Sequence, residues 1–433
     1  MRIKIISALT ALLTSLSLIG VAFSSIAKND TVREPSKTET TTTGGLDGTS
    51  TALNILKYGD KLTQDQVMSR IKAQYLLENG GYKDTDEVVV LISVDGESLI
   101  ETFNEGGTTA KTVSEYAETF SGAVQTAENL KRQNEVVSTL VRQGLITGVE
   151  YNYTTVLNAV AVNTVYGNLE AIENTAGVKA AALSDTYNRV EEQMSDATDV
   201  PLNVVDIEDT GIYKNESGYT GLGTVTAVLD SGFDMSHRVF HRDYTGKEDK
   251  LVITKSSSQS ELYVKGAAES AVKLSTLNAG TTTSGLQVKD VWYSEKIPYA
   301  YDYADKNPDV FPYDSEHGTH VAGIIAGYDE VIHGIAPDTQ LVLMKVFPDL
   351  DSGGKTEDII AALEDAVKLG VDAINMSLGT SCGFSRECDD DDEKPNVAKV
   401  YDAINDSGIS LITAASNSYS AGFGGEQGNT NFV

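Results

Sequence analysis

Apolar and polar positions change rhythm several times along this chain, and each change marks a different kind of structure. After Met1-Arg2-Ile3-Lys4 an apolar stretch runs from Ile5 to about Phe23, and residues 28–51 then turn Thr-, Gly- and charge-rich with almost no apolar content. That composition predicts a disordered linker. From Ala52 the pattern becomes short alternating runs: Val88-Val89-Val90-Leu91-Ile92 predicts a strand, Ala123 to Gln143 has helical spacing closed by Gly144, and Val149 to Val165 alternates like a hairpin. A helix over Gly167 to Asn174 and a strand over Val178 to Leu183 complete the order βαββαβ. Residues 52–187 are therefore expected to form an α+β, ferredoxin-like sandwich.

A polar stretch from Asn188 to Thr198 precedes the last change of rhythm, into strands with helical crossovers over residues 188–433. Val225 to Leu229, Gln340 to Val346, Asp372 to Met376 and Ile409 to Ala414 are nearly continuous apolar runs. Between them lie helical patterns at Val321 to Gly327, at Ile359, Ile360, Leu363, Ala366 and Val367 behind a Thr356 cap, and at Val397 to Ser407 before Gly408. Strands that are apolar throughout must be covered on both sides, which predicts a parallel sheet with helices on both faces. In such α/β sheets ligands bind at the carboxyl ends of the strands. Asp230, Asn375 to Gly379, and Asn417 fall at such ends.

Composition narrows the setting. The chain of 433 residues carries 63 acidic and 33 basic side chains, a net charge of −30, which repels nucleic acid and anionic membranes. The basic start, the apolar stretch and the small residues Ser25-Ile26-Ala27 predict a secretory signal peptide over residues 1–27 and a secreted or cell-envelope location. Cys382 and Cys388, the two cysteines, are expected to close a small disulfide loop in that oxidising setting. The run Asp389 to Glu393 offers oxygen ligands for calcium but reads first as a solvated loop.

Three polar residues carry the candidate chemistry. An imidazole can take the proton of a serine hydroxyl near neutral pH, and His317 opens a helix among small residues, Gly318, Thr319, Ala322 and Gly323. Asp230, at the end of an apolar strand, suits the anion that orients such an imidazole. Asn417, at another strand end, offers a side-chain amide to a developing oxyanion. His317 and His320 stand three apart without the acid of a zinc-binding H-E-x-x-H, and Gly221-Leu222-Gly223 precedes its strand, so neither predicts a metal or dinucleotide site. His320 reads as structural, while His237, His241 and His333 read as loop or surface residues.

Val228-Leu229-Asp230-Ser231-Gly232, His317-Gly318-Thr319-His320-Val321-Ala322-Gly323, Ile374-Asn375-Met376-Ser377-Leu378-Gly379 and Ala414-Ala415-Ser416-Asn417 stand in the order in which subtilases carry similar motifs. The chain thus resembles a subtilisin-like serine peptidase over roughly Val88 to Asn429. The resemblance implies Asp230 and His317 as members of an Asp-His-Ser triad, Asn417 as oxyanion donor, and Ser377, Leu378 and Gly379 as a strand that pairs with a polypeptide substrate. It implies no cofactor for the chemistry, allows a structural calcium ion, and makes the upstream βαββαβ segment similar to an intramolecular inhibitory propeptide. The Asp-to-His gap, 317 − 230 = 87 residues, implies an insertion between about Tyr244 and Pro312, a style that resembles large Gram-positive cell-envelope proteinases.

One family feature is missing. Nothing after Asn417 matches Gly-Thr-Ser-Met-Ala or Gly-Thr-Ser-x-Pro, and Gly48-Thr49-Ser50 lies ahead of the Asp and His in the linker, where it is a decoy. The chain is accordingly expected to be an N-terminal fragment that lacks the nucleophile and is nearly inert by itself. The alternative is a secreted pseudoprotease or binding protein on a subtilase scaffold.

Overall fold

Glu87–Val94 (β1) alternates its side chains between two apolar layers, and this places one domain of the protein upon another. The structure is a computed structural model describing residues 81–189, 218–265, 270–313, 315–330, 332–349, 353–379 and 397–414. All of them belong to one unit, Tyr58–Val433. The signal segment, the linker, Cys382 and Cys388, the acidic run at 389–393 and Asn417 lie outside the described residues.

After β1 come helices Leu99–Glu105 (α1), Val113–Ala117 (α2) and Phe120–Gln143 (α3), then strands Gly148–Tyr153 (β2) and Ala159–Val165 (β3). Helix Leu169–Glu173 (α4) and strand Val178–Leu183 (β4) follow. The strands form an antiparallel sheet in the order β2-β3-β1-β4, the arrangement expected of a ferredoxin-like sandwich. Val90, Ile92 and Val94 pack with Val136 and Leu140 of α3 and Ile172 of α4. Leu91 points the opposite way and joins Ala159, Ala161, Tyr151 and Tyr153 in the core of the second domain, as the two-residue period of a strand requires.

That domain is built on a parallel sheet of five strands. Thr186–Arg189 (β5) leads out of the sandwich; Val225–Asp230 (β6) is the sheet's central strand. An antiparallel trio, Ile253–Lys255 (β7), Glu261–Val264 (β8) and Ser270–Lys273 (β9), and the short helices Asn278–Thr282 (α5) and Val288–Val291 (α6) precede Tyr299–Asp302 (β10). Helix His317–Ala326 (α7), strand Gln340–Lys345 (β11), strand Gly353–Lys355 (β12) and helix Thr356–Lys368 (α8) come next. Ala373–Met376 (β13), Leu378–Gly379 (β14), helix Val397–Asp406 (α9) and Ser410–Thr413 (β15) complete the order. The parallel sheet runs β10-β11-β6-β13-β15. Ala322 and Ala326 of α7 pack on one face with Val228, Leu341 and Leu343; α8 and α9 cover the other.

Two expectations need correction. The segment from about Tyr244 to Pro312 is not wholly an insertion, because Tyr299–Asp302 is an edge strand of the main sheet, paired in parallel with β11. Tyr299–Asp302 is buried at all four positions and lacks the apolar-polar alternation that would announce a strand. Thr356 does not cap α8 by its side chain, since the N-cap position is Lys355. Instead Thr356 Oγ1 accepts the amide of Asp185 at 2.9 Å, and the amide of Thr356 donates to the Asp185 carbonyl at 3.1 Å.

Helix α8 reads as amphipathic yet is buried from Thr356 through Val367, acids included. The sandwich covers its polar side. Glu364 accepts the amides of Thr154, Thr155 and Val156 at 2.9–3.2 Å, and Lys368 Nζ reaches it at 2.8 Å. Tyr151 donates to Asp358 at 2.9 Å and Tyr153 to the Glu357 carbonyl at 2.8 Å, while Ser184 donates to the Glu357 carboxylate. Buried charges persist only when paired or hydrogen-bonded, so Glu357, Asp358 and Glu364 are matched to this one partner surface. Burial pushes Asp358 well above the usual carboxylate range, with the neighbouring charge of Glu357 adding to it.

Asp365 faces inward, accepting the amides of Asn278 and Ala279 at 2.7 and 3.0 Å and the Tyr303 hydroxyl at 2.8 Å. Its burial outweighs these donors and the nearby Lys368, and raises it to about 6. The folded state therefore holds this proton more tightly than the unfolded chain, so the stability it contributes is full below the unfolded carboxylate value and is lost as pH rises through about 6. In Asp365→Asn this loss is absent. Thermal melts from pH 4 to 7 should show the melting temperature of the variant relative to the parent rising up to about pH 6 and level beyond it.

Candidate active site

The carboxyl ends of the parallel strands bring together what the sequence holds far apart. Asp230 closes β6 and is 1% exposed. Its Oδ1 lies 2.8 Å from His317 Nδ1 and accepts the Ser231 amide at 2.6 Å. With Nδ1 donating to a carboxylate, the neutral ring carries its basic lone pair on Nε2. A strand end fixes the acid and a helix start fixes the base, so neither depends on a long loop for its position.

Close approach of α7 to β6 requires glycine at 318. A Cβ there would stand 2.4 Å from the Gly232 carbonyl and 3.0 Å from both Asp230 Cβ and the Phe233 ring. Gly232 has φ +143°, and a Cβ on it would meet Pro312 Cα at 2.8 Å. Ser231 clasps the junction, accepting the Gly318 amide at 3.3 Å and donating to the Ser315 carbonyl at 3.1 Å. Ser231 belongs to the motif Val228 to Gly232, but its clasp between strand and helix has no signature in sequence.

Beside this pair lies a short antiparallel ladder that spacing alone does not reveal. Strand β5 sits between β12 and β14: Tyr187 is opposite Gly354, Asn188 opposite Gly353 and Gly379, and Arg189 opposite Leu378. Tyr187 is 2% exposed and shares a core with Ile359, Leu378 and Tyr401. Of the residues expected to pair with a substrate, Leu378 and Gly379 pair here with the chain's own β5, while Ser377 accepts the Asn375 side-chain amide at 3.1 Å. Because β14 follows β13, and Met376 of β13 lies beside Leu229 of β6, the direction of β5 leads toward the Asp230 strand end. His320 is exposed on α7, and His333 stacks edge-on against Tyr328, apart from the pair.

A sequence model of the subtilase family matches residues 221–431, which hold the strand ending in Asp230 and the helix opening at His317. Residues 221–431 are a subtilase-family domain. A PI-type proteinase of Lactococcus lactis subsp. cremoris is 30% identical over 286 residues, covering 64% of this chain and 13% of that protein. A C5a peptidase of Streptococcus pyogenes is 31% identical over 242 residues, 53% of this chain and 18% of that protein. The chain thus matches less than a fifth of the length of either relative. Fervidolysin from Fervidobacterium pennivorans aligns with 78% of this chain and 41% of its own at 14% identity and a TM-score of 0.39, a likeness too slight to add to the sequence matches.

The packing around Gly318 makes the Asp230–His317 pair sensitive to a single methyl group. Gly318→Ala should push α7 away from β6 and cost about 1–3 kcal/mol, read as a lower denaturation midpoint. The Asp230-bound Nδ1 proton of His317, visible as a downfield NMR signal in the parent, should weaken or vanish.

Proposed function

We propose that this chain is the N-terminal part of a secreted serine endopeptidase precursor in which Asp230 and His317 are two members of an Asp-His-Ser triad. The observation that carries the reading is the 2.8 Å contact between Asp230 and His317 at the rim of the parallel sheet. His317 Nε2 takes the proton of a serine hydroxyl as its oxygen bonds to the peptide carbonyl carbon, and then gives that proton to the departing amine; water releases the acyl group by the reverse sequence. Asp230 stabilises the imidazolium formed in between. Asn417 is proposed to donate to the oxyanion. The serine of the triad is not assigned to any of these residues, since no Gly-Thr-Ser follows Asn417 among them. The chemistry uses protein groups alone.

Strands β12 and β14 are the proposed seat of a polypeptide substrate, bound by strand addition. Ser377, Leu378 and Gly379 supply one side of that seat. In the precursor β5 fills it, and the sandwich, anchored through the buried face of α8, is the inhibitor that carries β5 there. This reading is supported by the register of β5 against both strands. The apolar stretch after Arg2 and Lys4 supports export and an extracellular location. Among the described residues no helix is long and apolar enough to cross a membrane.

The test is to express the reading frame together with its continuation past Val433. A fluorophosphonate probe should label the product, and His317→Ala should abolish labelling and lower turnover by about 10⁶, the scale measured in subtilisin. Absence of labelling in the parent, or full labelling of the His317→Ala variant, would sink the triad assignment; the former favours a non-catalytic scaffold.

Inhibition has its own readout. Removing the buried ring in Tyr187→Ala costs about 3–5 kcal/mol. The separated N-terminal segment should then inhibit the active enzyme at least about 100-fold more weakly; an unchanged inhibition constant would show that β5 does not occupy the substrate seat.

A further inference from the structure

Asp302, Lys345 and Asp230 are in-register neighbours on β10, β11 and β6. Side chains in register on parallel strands share a face, so the rim carries acid, base and acid in a row. Lys345 is buried, with its side chain 2% exposed. Its ammonium donates to Asp302 at 2.5 Å and Asp305 at 3.2 Å and lies in ion-pair contact with Asp349 at 2.8 Å. The carboxylate oxygens of Asp302, Asp305 and Asp349 lie within 4.8 Å of one another, a spacing that a divalent cation could bridge.

That donor set does not fit calcium as it stands. Ca²⁺ needs six to eight oxygens at about 2.3–2.6 Å, and the space toward which these three carboxylates converge is already filled by Nζ of Lys345. The ammonium cannot easily swing away, because its stem rises from the end of β11 between Asp230 and Asp302.

We propose that Lys345 is a built-in cation that takes the place of a structural metal ion, clamping together the turns that follow β10 and β11 at the active-site rim. The turn after β10 is joined to β11 by the Tyr303 amide on the Lys345 carbonyl at 2.8 Å. The turn after β11 is joined to the first by the Asp349 amide on Asp305 at 2.9 Å. Between them, the Val346 amide donates to the Asp230 carbonyl at 3.0 Å. Lys345 is thus a positioning residue, acting on Asp230 and on the approach to β12 through the backbone. The inference does not rest on the proposed peptidase activity, because its test reads ion binding.

Terbium luminescence, with Tb³⁺ as the calcium probe and Tyr301 and Tyr303 as nearby sensitisers, is measured on the full chain together with thermal melts with and without about 1 mM Ca²⁺, the range in which weak extracellular sites fill. In the parent, neither the Tb³⁺ signal nor any calcium-induced rise in the melting temperature should depend on Asp349, as judged by Asp349→Asn. Lys345→Met should melt several degrees lower without calcium, recover part of that loss with it, and gain a saturable Tb³⁺ signal that a second change, Asp349→Asn, removes. The proposal is overturned if the parent already shows an Asp349-dependent Tb³⁺ signal, or if a folded Lys345→Met chain gains none. Should Lys345→Met yield no folded protein in either condition, the parent and Asp349→Asn comparison decides alone: equal Tb³⁺ signals support the clamp, and a signal lost in Asp349→Asn overturns it.

Discussion

A carboxylate removed from water must find donors, and the way Asp230 finds them organises the rim of this protein. One oxygen receives the amide of the next residue and the ring of His317. To deliver that ring, α7 must lie almost against the strand end. This explains glycine at 318, the extended but positive-φ glycine at 232 and the hydroxyl of Ser231 between them. Each would be unremarkable alone. Together they convert a distance of 87 residues along the chain into one hydrogen bond.

The same accounting applies on the opposite face of the sheet. Helix α8 has an apolar side for the sheet and an acidic side that a lone domain would leave in water. Here the acidic side is buried, and each carboxylate is answered by amides or hydroxyls of the sandwich or of the α5 segment. Burial of charge is costly unless geometry is good. The sandwich is therefore held by specificity as much as by apolar area, and its exit strand is delivered in register to β12 and β14. Strands β12 and β14 are, in this state, both paired with the protein's own chain.

Lys345 shows how the two halves of the rim are kept in place. Its backbone neighbours Asp230, and its ammonium gathers acids from two turns. Burial raises Asp302 to about 6, against the pull of the lysine, so the clamp is a balance of desolvation and Coulomb attraction and not a simple gain. Lysine supplies the charge without demanding the full oxygen shell of a metal ion.

Much of this was legible from residues alone. Continuous apolar runs specified a parallel sheet, alternation specified the sandwich, and the motifs around Asp230 and His317 named the pair before any geometry was known. Those signals are local, carried by periodicity or by short stretches of fixed residue type. Edge strand β10, the ladder of β5 with β12 and β14, the burial of the acids on α8 and the capture of Lys345 had no such signal. Each depends on partners distant in sequence, and whether an acid meets solvent, an amide or an ammonium is settled only when the packed chain decides which groups lose their water.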